Sequence, residues 1–190
     1  MKGVLFVISG PSGVGKGTLV KEILNERNDL KLSVSCTTRA PRQGETDGKE
    51  YFFIDREEFV SRIRENGFLE YDEHFGNYYG TPRSYVERQL KDNSVILEID
   101  VVGALNCKRL MPEAVLIMIA PPSIEELSRR LESRGSESDE TIKNRLERVK
   151  YELGQKQLYD YVIVNDALNE AKIRLIEVID TEINKRNEGE

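Results

Sequence analysis

Apolar residues fall along this chain in short, bounded runs. Val4 to Ile8 is closed by a glycine, and similar runs recur at Val95 to Ile99, Val115 to Ile119 and Tyr161 to Val164. Continuous apolar runs of this length read as strands buried on both faces. After each run the spacing lengthens to a helical period. Leu19/Ile23 and Val20/Leu24 follow the first, while Leu168, Leu175, Ile176, Ile179 and Ile183 follow the last. The alternation predicts a mostly parallel sheet flanked by helices. Ser123 and Glu126 form a capping-box pair ahead of Leu127 and Leu131, and Ile142, Leu146, Val149 and Leu153 mark a further helix. The polar, acidic stretch 136–140 between those two helices reads as the tip of a helical lid.

Residues 35–83 break this rhythm. They carry Pro41, Pro82 and five glycines among Tyr51, Phe52, Phe53, Phe68, Tyr71, Phe75, Tyr78 and Tyr79. That mixture predicts short antiparallel strands around one helix, Arg56 to Glu65. The expected architecture is one α/β domain over 1–190. Its core spans 1–34, 84–125 and 150–190, an inserted mixed α/β acceptor-binding lobe spans 35–83, and the lid spans 126–149. No pattern in the chain decides between a monomer and a homo-oligomer.

Composition narrows the partners. A formal charge of −6 argues against a general nucleic-acid surface, so an anionic ligand must be met locally. Cys36 and Cys107 lack metal-ligand spacing and sit in unlike contexts, which fits a reduced, cytoplasmic setting. The run Val4 to Ile8 is too short for the apolar region of a signal peptide, and no stretch approaches the roughly 20 apolar residues of a membrane helix. The expectation is a soluble cytoplasmic protein without membrane or nucleic-acid partners.

Gly10-Pro11-Ser12-Gly13-Val14-Gly15-Lys16 satisfies G-x-x-x-x-G-K between an expected strand and an expected helix, the context that gives this P-loop motif its meaning. Glycines let consecutive backbone N–H groups face phosphate oxygens. The helix N-terminus adds positive potential, and Lys16 places a point charge at the β- and γ-phosphates of ATP. Gly17 stands where Ser or Thr usually supplies a hydroxyl to Mg²⁺, and Thr18 offers one a residue later. The ion is therefore expected to be held through water and the ATP phosphates, with no direct protein ligand.

The acceptor is written in the inserted lobe. Ser35-Cys36-Thr37-Thr38-Arg39-Ala40-Pro41-Arg42 sets two arginines three apart, suited to gripping one phosphate with fork-shaped donors. Gly48-Lys49-Glu50-Tyr51-Phe52-Phe53, Phe68-Leu69-Glu70-Tyr71 and Gly76-Asn77-Tyr78-Tyr79-Gly80-Thr81 follow. Then come Ile96-Leu97-Glu98-Ile99-Asp100, Ala120-Pro121-Pro122-Ser123, Arg134-Gly135, Arg145 and Val162-Ile163-Val164-Asn165-Asp166. These blocks, in this order behind the P-loop, resemble the guanylate kinase family along almost the whole chain. The departures are Cys36 for Ser, Thr81 for Ser and Glu98 for Asp.

The resemblance implies an ATP:GMP phosphotransferase of purine metabolism that needs Mg²⁺ and also accepts dGMP. Residues 10–18 would bind ATP, and Arg39, Arg42, Tyr51 and Tyr79 would hold the GMP phosphate. Ser35, Glu70, Thr81 and Asp100 would read the guanine. Lys16, Arg39 and the lid residues Arg130, Arg134 and Arg145 would supply charge during transfer. A carboxylate at Glu70 suits guanine, whose N1–H and 2-amino group it accepts together and whose edge adenine does not present. Glu98 and Asp100, expected to face the same way on one strand, compete for a guanine contact. Asp100 is favoured as nearer the strand's carboxyl end.

Other features have plainer readings. Phe52, Phe53, Phe68 and Phe75 are expected to pack the lobe. Arg129 and Arg148 are expected on solvated helix faces with nearby glutamates, and His74, with no carboxylate partner, in a surface or packing role. Asp100-Val101-Val102-Gly103 matches the D-x-x-G of a GTP-dependent switch, but Asn165-Asp166 lacks the lysine and spacing of the guanine-reading motif such switches carry. A non-catalytic binding module on the same fold is the other alternative. It has no need of Lys16 together with both sets of arginines.

Overall fold

The computed structural model describes residues 3–74, 76–132 and 139–189, with side chains given outside 130–146. Strand β1 (Leu5–Ser9) leads through the glycine loop into helix α1 (Lys16–Glu26), then β2 (Leu30–Leu32). Next come β3 (Cys36–Thr37), β4 (Phe52–Phe53), α2 (Arg56–Arg64), β5 (Phe68–His74), β6 (Asn77–Pro82) and α3 (Arg83–Gln89). The chain returns with β7 (Ser94–Glu98), α4 (Val101–Leu110), β8 (Val115–Ala120), α5 (Ile124–Glu132) and α6 (Asp139–Gly154). After a 3₁₀ turn at Lys156–Leu158 it ends with β9 (Tyr161–Val164) and α7 (Leu168–Glu188).

The main sheet has the order β2-β7-β1-β8-β9, and every pairing is parallel. Helices on both faces explain why its central strands are apolar along most of their length, as in the fully buried Val115–Ala120. Alternation along β1 divides the core. Phe6 and Ile8 join Ile117, Ile119 and Ile163 under Leu19 and Ile23 of α1 and Leu175 and Ile179 of α7. Leu5 and Val7 join Val95, Leu97, Leu116 and Met118 under Val86 of α3 and Val101, Ala104 and Cys107 of α4. Burying each such side chain contributes about 1.5–3 kcal/mol, so both layers help hold the sheet between its helices.

The second sheet, β4-β3-β6-β5, is antiparallel except for β3 with β4. The expectation of antiparallel strands is corrected for that one pair. Its own core is small: Phe59 of α2 stacks on Phe68 at 4.3 Å and on Tyr78 at 5.1 Å, beside buried Cys36. Asp55 starts α2 by accepting from the Glu58 N–H, and Ser123 accepts from Glu126 N as the capping box at α5 requires. Leu69 belongs to the main core although it sits on β5, which anchors the second sheet against α4. The P-loop, Glu98 to Asp100, Ala120 to Ser123 and Asn165 all follow carboxyl ends of parallel strands, where open α/β sheets form their crevice.

Candidate active site

The glycine loop is fixed by its neighbours as much as by its own sequence. Gly10 has φ +139°, and a Cβ there would stand 2.1 Å from the Ile119 carbonyl oxygen of β8, so only glycine lets the two backbones pass. Gly15 has φ +90° and leads α1 with no side-chain cap, leaving the first helical N–H groups for a ligand. The Asn165 side-chain amide donates to the Val14 carbonyl at 2.7 Å, and its Nδ2 lies 2.7 Å from where a Gly15 Cβ would be. Asn165 thus pins the loop from the end of β9. Ser9, just before the loop, shares a 2.5 Å hydrogen bond with the Tyr159 hydroxyl, whose pKa is pushed up to about 12 mainly by burial.

Lys16 folds back on the loop, donating to the carbonyls of Gly10 at 2.7 Å and Pro11 at 3.1 Å. Burial lowers its pKa, while the charges of Glu98, Glu152 and Asp100 oppose that shift. A cavity of roughly 450 Å³ opens at this point, lined by Gly10, Ser12, Lys16, His74, Glu98, Ile99, Asp100, Arg148, Val149 and Glu152. Glu98 is open to it, yet the surrounding walls raise its pKa against the pull of Lys16. Its oxygens lie 3.4 and 3.5 Å from where a Gly17 Cβ would sit.

A smaller cavity of roughly 150 Å³ adjoins it, since Glu98 and Ile99 line both. Ser35, Tyr51 and Thr81 line this second space with Ser33 and Glu50. Thr81, buried on β6, donates its hydroxyl to Glu70 Oε1 at 2.5 Å. Burial pushes the Glu70 carboxyl up to about 7, with the Thr81 hydrogen bond opposing and the Asp100 charge adding. A Cβ on Gly103 would lie 3.2 Å from Glu70 Oε2 and 3.3 Å from Asp100 Oδ1, which shows how closely the two carboxylates flank the start of α4.

The phosphate-gripping candidates gather around Tyr51, a wall of the smaller cavity. Arg39 donates from Nη1 and Nη2 to the two oxygens of Glu45 at 3.0 and 2.9 Å, and the Arg42 N–H donates to the same carboxylate at 2.7 Å. Arg39 also sits 5.6 Å from the Tyr51 ring and 5.8 Å from Phe53, and Tyr51 meets Tyr79 edge-on at 5.9 Å. An anion therefore already fills the guanidinium fork. The Arg42 side chain is exposed.

Four readings from sequence change here. Glu98 and Asp100 do not share a strand face: β7 ends at Glu98, and Asp100 has turned off it to cap α4, accepting from Gly103 N at 2.8 Å. The D-x-x-G pattern is that helix cap. Arg148 is no mere solvated-face residue, since it lines the cavity and reaches Asp100 Oδ2 at 2.8 Å as well as Glu152 at 2.9 Å. Arg129 does lie exposed beside Glu126. His74 is on the surface but has a carboxylate partner, Asp72, at 3.0 Å, because alternate residues of β5 share a face. Phe53 contacts Arg39 and Tyr51 in addition to packing.

Arg134 and Phe75 lie outside the described residues, and Arg130 and Arg145 fall on α5 and α6 with side chains outside them. Arg148, Glu152 and Tyr159 are site neighbours that sequence reasoning did not place at the site, whereas Asn165 was visible at the end of the last strand block.

A family model described as guanylate kinase matches residues 2–182. The chain is 52% identical over 183 residues to a guanylate kinase of Thermus thermophilus, covering 96% of this chain and 83% of that protein. Among solved structures it resembles guanylate kinase from Anaplasma phagocytophilum with TM-score 0.72 and 38% identity, over 95% of this chain and 86% of that one. Shikimate kinase from Bacteroides thetaiotaomicron, at TM-score 0.55 and 16% identity over 93% and 98% of the two chains, shares the fold alone.

Proposed function

The chain belongs to the guanylate kinase family and is a nucleoside-monophosphate kinase; on that premise we propose how its residues divide the transfer of the ATP γ-phosphoryl group to GMP, giving ADP and GDP. The observation that carries the division is the pair of adjoining cavities, one walled by the glycine loop and Lys16, the other by Ser35, Tyr51 and Thr81. Two nucleotides laid into them bring their phosphates toward the shared wall at Glu98 and Ile99.

On the donor side, the backbone of residues 10–18 cradles the ATP phosphates, and Lys16 leaves its loop carbonyls for the β- and γ-oxygens. On the acceptor side, Arg39, Arg42, Tyr51 and Tyr79 take the GMP phosphate, which displaces Glu45 from the Arg39 fork. Glu70 accepts from guanine N1–H and the 2-amino group, with Ser35, Thr81 and Asp100 completing base recognition. Thr81 holds Oε1 of Glu70 and so orients the carboxylate toward the base. dGMP, which keeps the same base and phosphate, is accepted too.

Phosphoryl transfer asks the protein for alignment and positive charge rather than covalent chemistry. Lys16, Arg39 and the lid residues Arg130, Arg134 and Arg145 supply that charge, and closure of the lid (126–149) and acceptor lobe (35–83) over the core excludes water. Mg²⁺ fits the donor cavity as a hydrated ion brought by ATP: it prefers oxygen donors and keeps several waters, and the Glu98 carboxylate beside Gly17 would hold those waters, with the Thr18 hydroxyl close in sequence. When bound, the ion neutralises charge on the donor phosphates. Two free, buried cysteines favour a reducing, cytoplasmic setting.

An ADP-release assay with GMP, AMP, UMP and CMP as acceptors tests this reading. Turnover is expected with GMP, and activity with AMP but none with GMP overturns the guanine assignment.

A further inference from the structure

A cluster on α6 has no part in the division above. Arg148 donates from Nε to Glu152 Oε1 at 2.9 Å and from Nη2 to Asp100 Oδ2 at 2.8 Å. The Glu152 side chain is only 7% exposed, so this is more than a surface i,i+4 pair: Arg148 is tethered to a buried acid on its own helix and reaches a capping residue 48 positions earlier in the chain. Asp100 in turn has both oxygens engaged, Oδ1 by Gly103 N and Oδ2 by Arg148. A carboxylate bonded at one oxygen can still swing about its last torsion. Bonded at both, it presents its remaining lone pairs in one direction.

We propose that Arg148 is a positioning residue for acceptor recognition, which fixes the orientation of the Asp100 carboxylate and offsets its charge beside Glu70. The inference rests on the reading of Asp100 as a guanine contact. The charge part follows from crowding. Glu70 and Asp100 both press on the start of α4, and Asp72 on β5 adds a third acid near Glu70. Asp100 already contributes to raising Glu70, and Asp100 and Asp72 both act on Arg148. The Arg148 guanidinium, held on Asp100 Oδ2, offsets part of the negative charge gathered at a site that must accept hydrogen bonds from guanine. Glu152, buried and facing Lys16, is the anchor that keeps Arg148 turned to this task.

The test compares Arg148→Gln, Arg148→Lys, Asp100→Asn and the double variant Arg148→Gln/Asp100→Asn in the full chain, reading KM for GMP and for ATP separately. Arg148→Gln is expected to raise KM for GMP about three- to tenfold, the range for losing one partly exposed charge-assisted hydrogen bond. KM for ATP should hold, while the melting temperature falls somewhat because buried Glu152 loses its partner. Arg148→Lys should recover most of the loss, because a cation at that place restores the charge. The double variant should be no worse than Asp100→Asn alone, since Arg148 acts through Asp100. If Asp100→Asn raises KM for GMP and Arg148→Gln does not, the inference falls while the Asp100 reading stands. Should Asp100→Asn leave KM for GMP unchanged, both fall together. An Arg148→Gln enzyme with a lowered turnover rate and an intact KM for GMP overturns it as well, by placing Arg148 on the migrating phosphoryl group.

Discussion

The donor loop and the acceptor lobe both prepare for an anion, but by opposite means. The loop is set by backbone: Gly10 passes against the Ile119 carbonyl, Val14 is buried and held by Asn165, and Lys16 rests on its own loop. The lobe has a core of three buried residues, Cys36, Phe59 and Phe68, and its ligand-facing groups are held by side-chain pairs, Arg39 with Glu45 and Glu70 with Thr81. A cradle of N–H groups carved into the main sheet needs little rearrangement to take phosphate. The Arg39–Glu45 pair must be exchanged for substrate. The donor side is thus built in advance and the acceptor side is completed by its ligand.

The largest effect should come from the one donor-side group that must move. Lys16→Ala is expected to lower the turnover rate by at least about 10²–10³-fold, the loss typical of one preorganised transition-state donor. Binding of an ATP analogue should suffer far less, because the backbone cradle remains. An active Lys16→Ala enzyme in the ADP-release assay would refute the role given to the loop.

Glu70→Gln strikes the acceptor side and should raise KM for GMP about 10- to 100-fold, as for a lost hydrogen-bond pair to a charged group, with KM for ATP held. The wild type should also show a pH signature. With its pKa pushed up to about 7, Glu70 is ionised and able to accept from guanine above that pH, and KM for GMP should climb as pH falls through it. The sign is reversed for stability. A carboxyl raised by burial favours the folded chain while protonated, and that contribution fades as pH rises from the ordinary carboxylate range to about 7. A KM profile for GMP that is flat between pH 6 and 8 would remove Glu70 from base recognition.

Two glycines at the same φ sharpen the contrast between regions. Gly15 and Gly44 both sit at +90°, but a Cβ on Gly15 meets Asn165 at 2.7 Å while one on Gly44 meets nothing within 4 Å. Gly44→Ala should lose only the backbone strain, about 1–2 kcal/mol, visible in thermal melting. Gly15→Ala should melt lower still and raise KM for ATP, because the displaced amide releases Val14. Equal melting temperatures would mean that Asn165 does not brace the loop.

What the sequence made legible follows the same line. Buried parallel strands are continuous apolar runs, so β1, β7, β8 and β9 were readable to within a residue at each end. The glycine loop was readable because its chemistry is contiguous. Strand β2 escaped because it is three residues long with two of them exposed, and α3 because only Val86 of its seven residues is buried. The contacts that finish the site were hidden for a physical reason. Asn165 meets Val14 and Arg148 meets Asp100 only once the sheet order puts β9 beside β8 and α6 across the cleft, and no local spacing encodes either pairing. From sequence, the Arg148–Glu152 spacing showed an i,i+4 pair and nothing of its other arm.

The smallest effect expected has the opposite sign to the rest. Glu45 occupies the Arg39 fork and also accepts from Arg42 N, so in the empty protein it takes the place proposed for the GMP phosphate. The pair is part-buried and must be desolvated either way, so exchanging it for a dianionic phosphate costs little. Glu45→Gln removes the competitor and should lower KM for GMP by about two- to fivefold, the modest net worth of a pair whose desolvation offsets much of its attraction. KM for ATP should be untouched, because nothing on the donor side depends on a side-chain pair that substrate must replace. If Glu45→Gln instead raises KM for GMP, the carboxylate holds Arg39 and the 39–45 loop in their binding shape, and the acceptor side is prepared in advance just as the donor loop is.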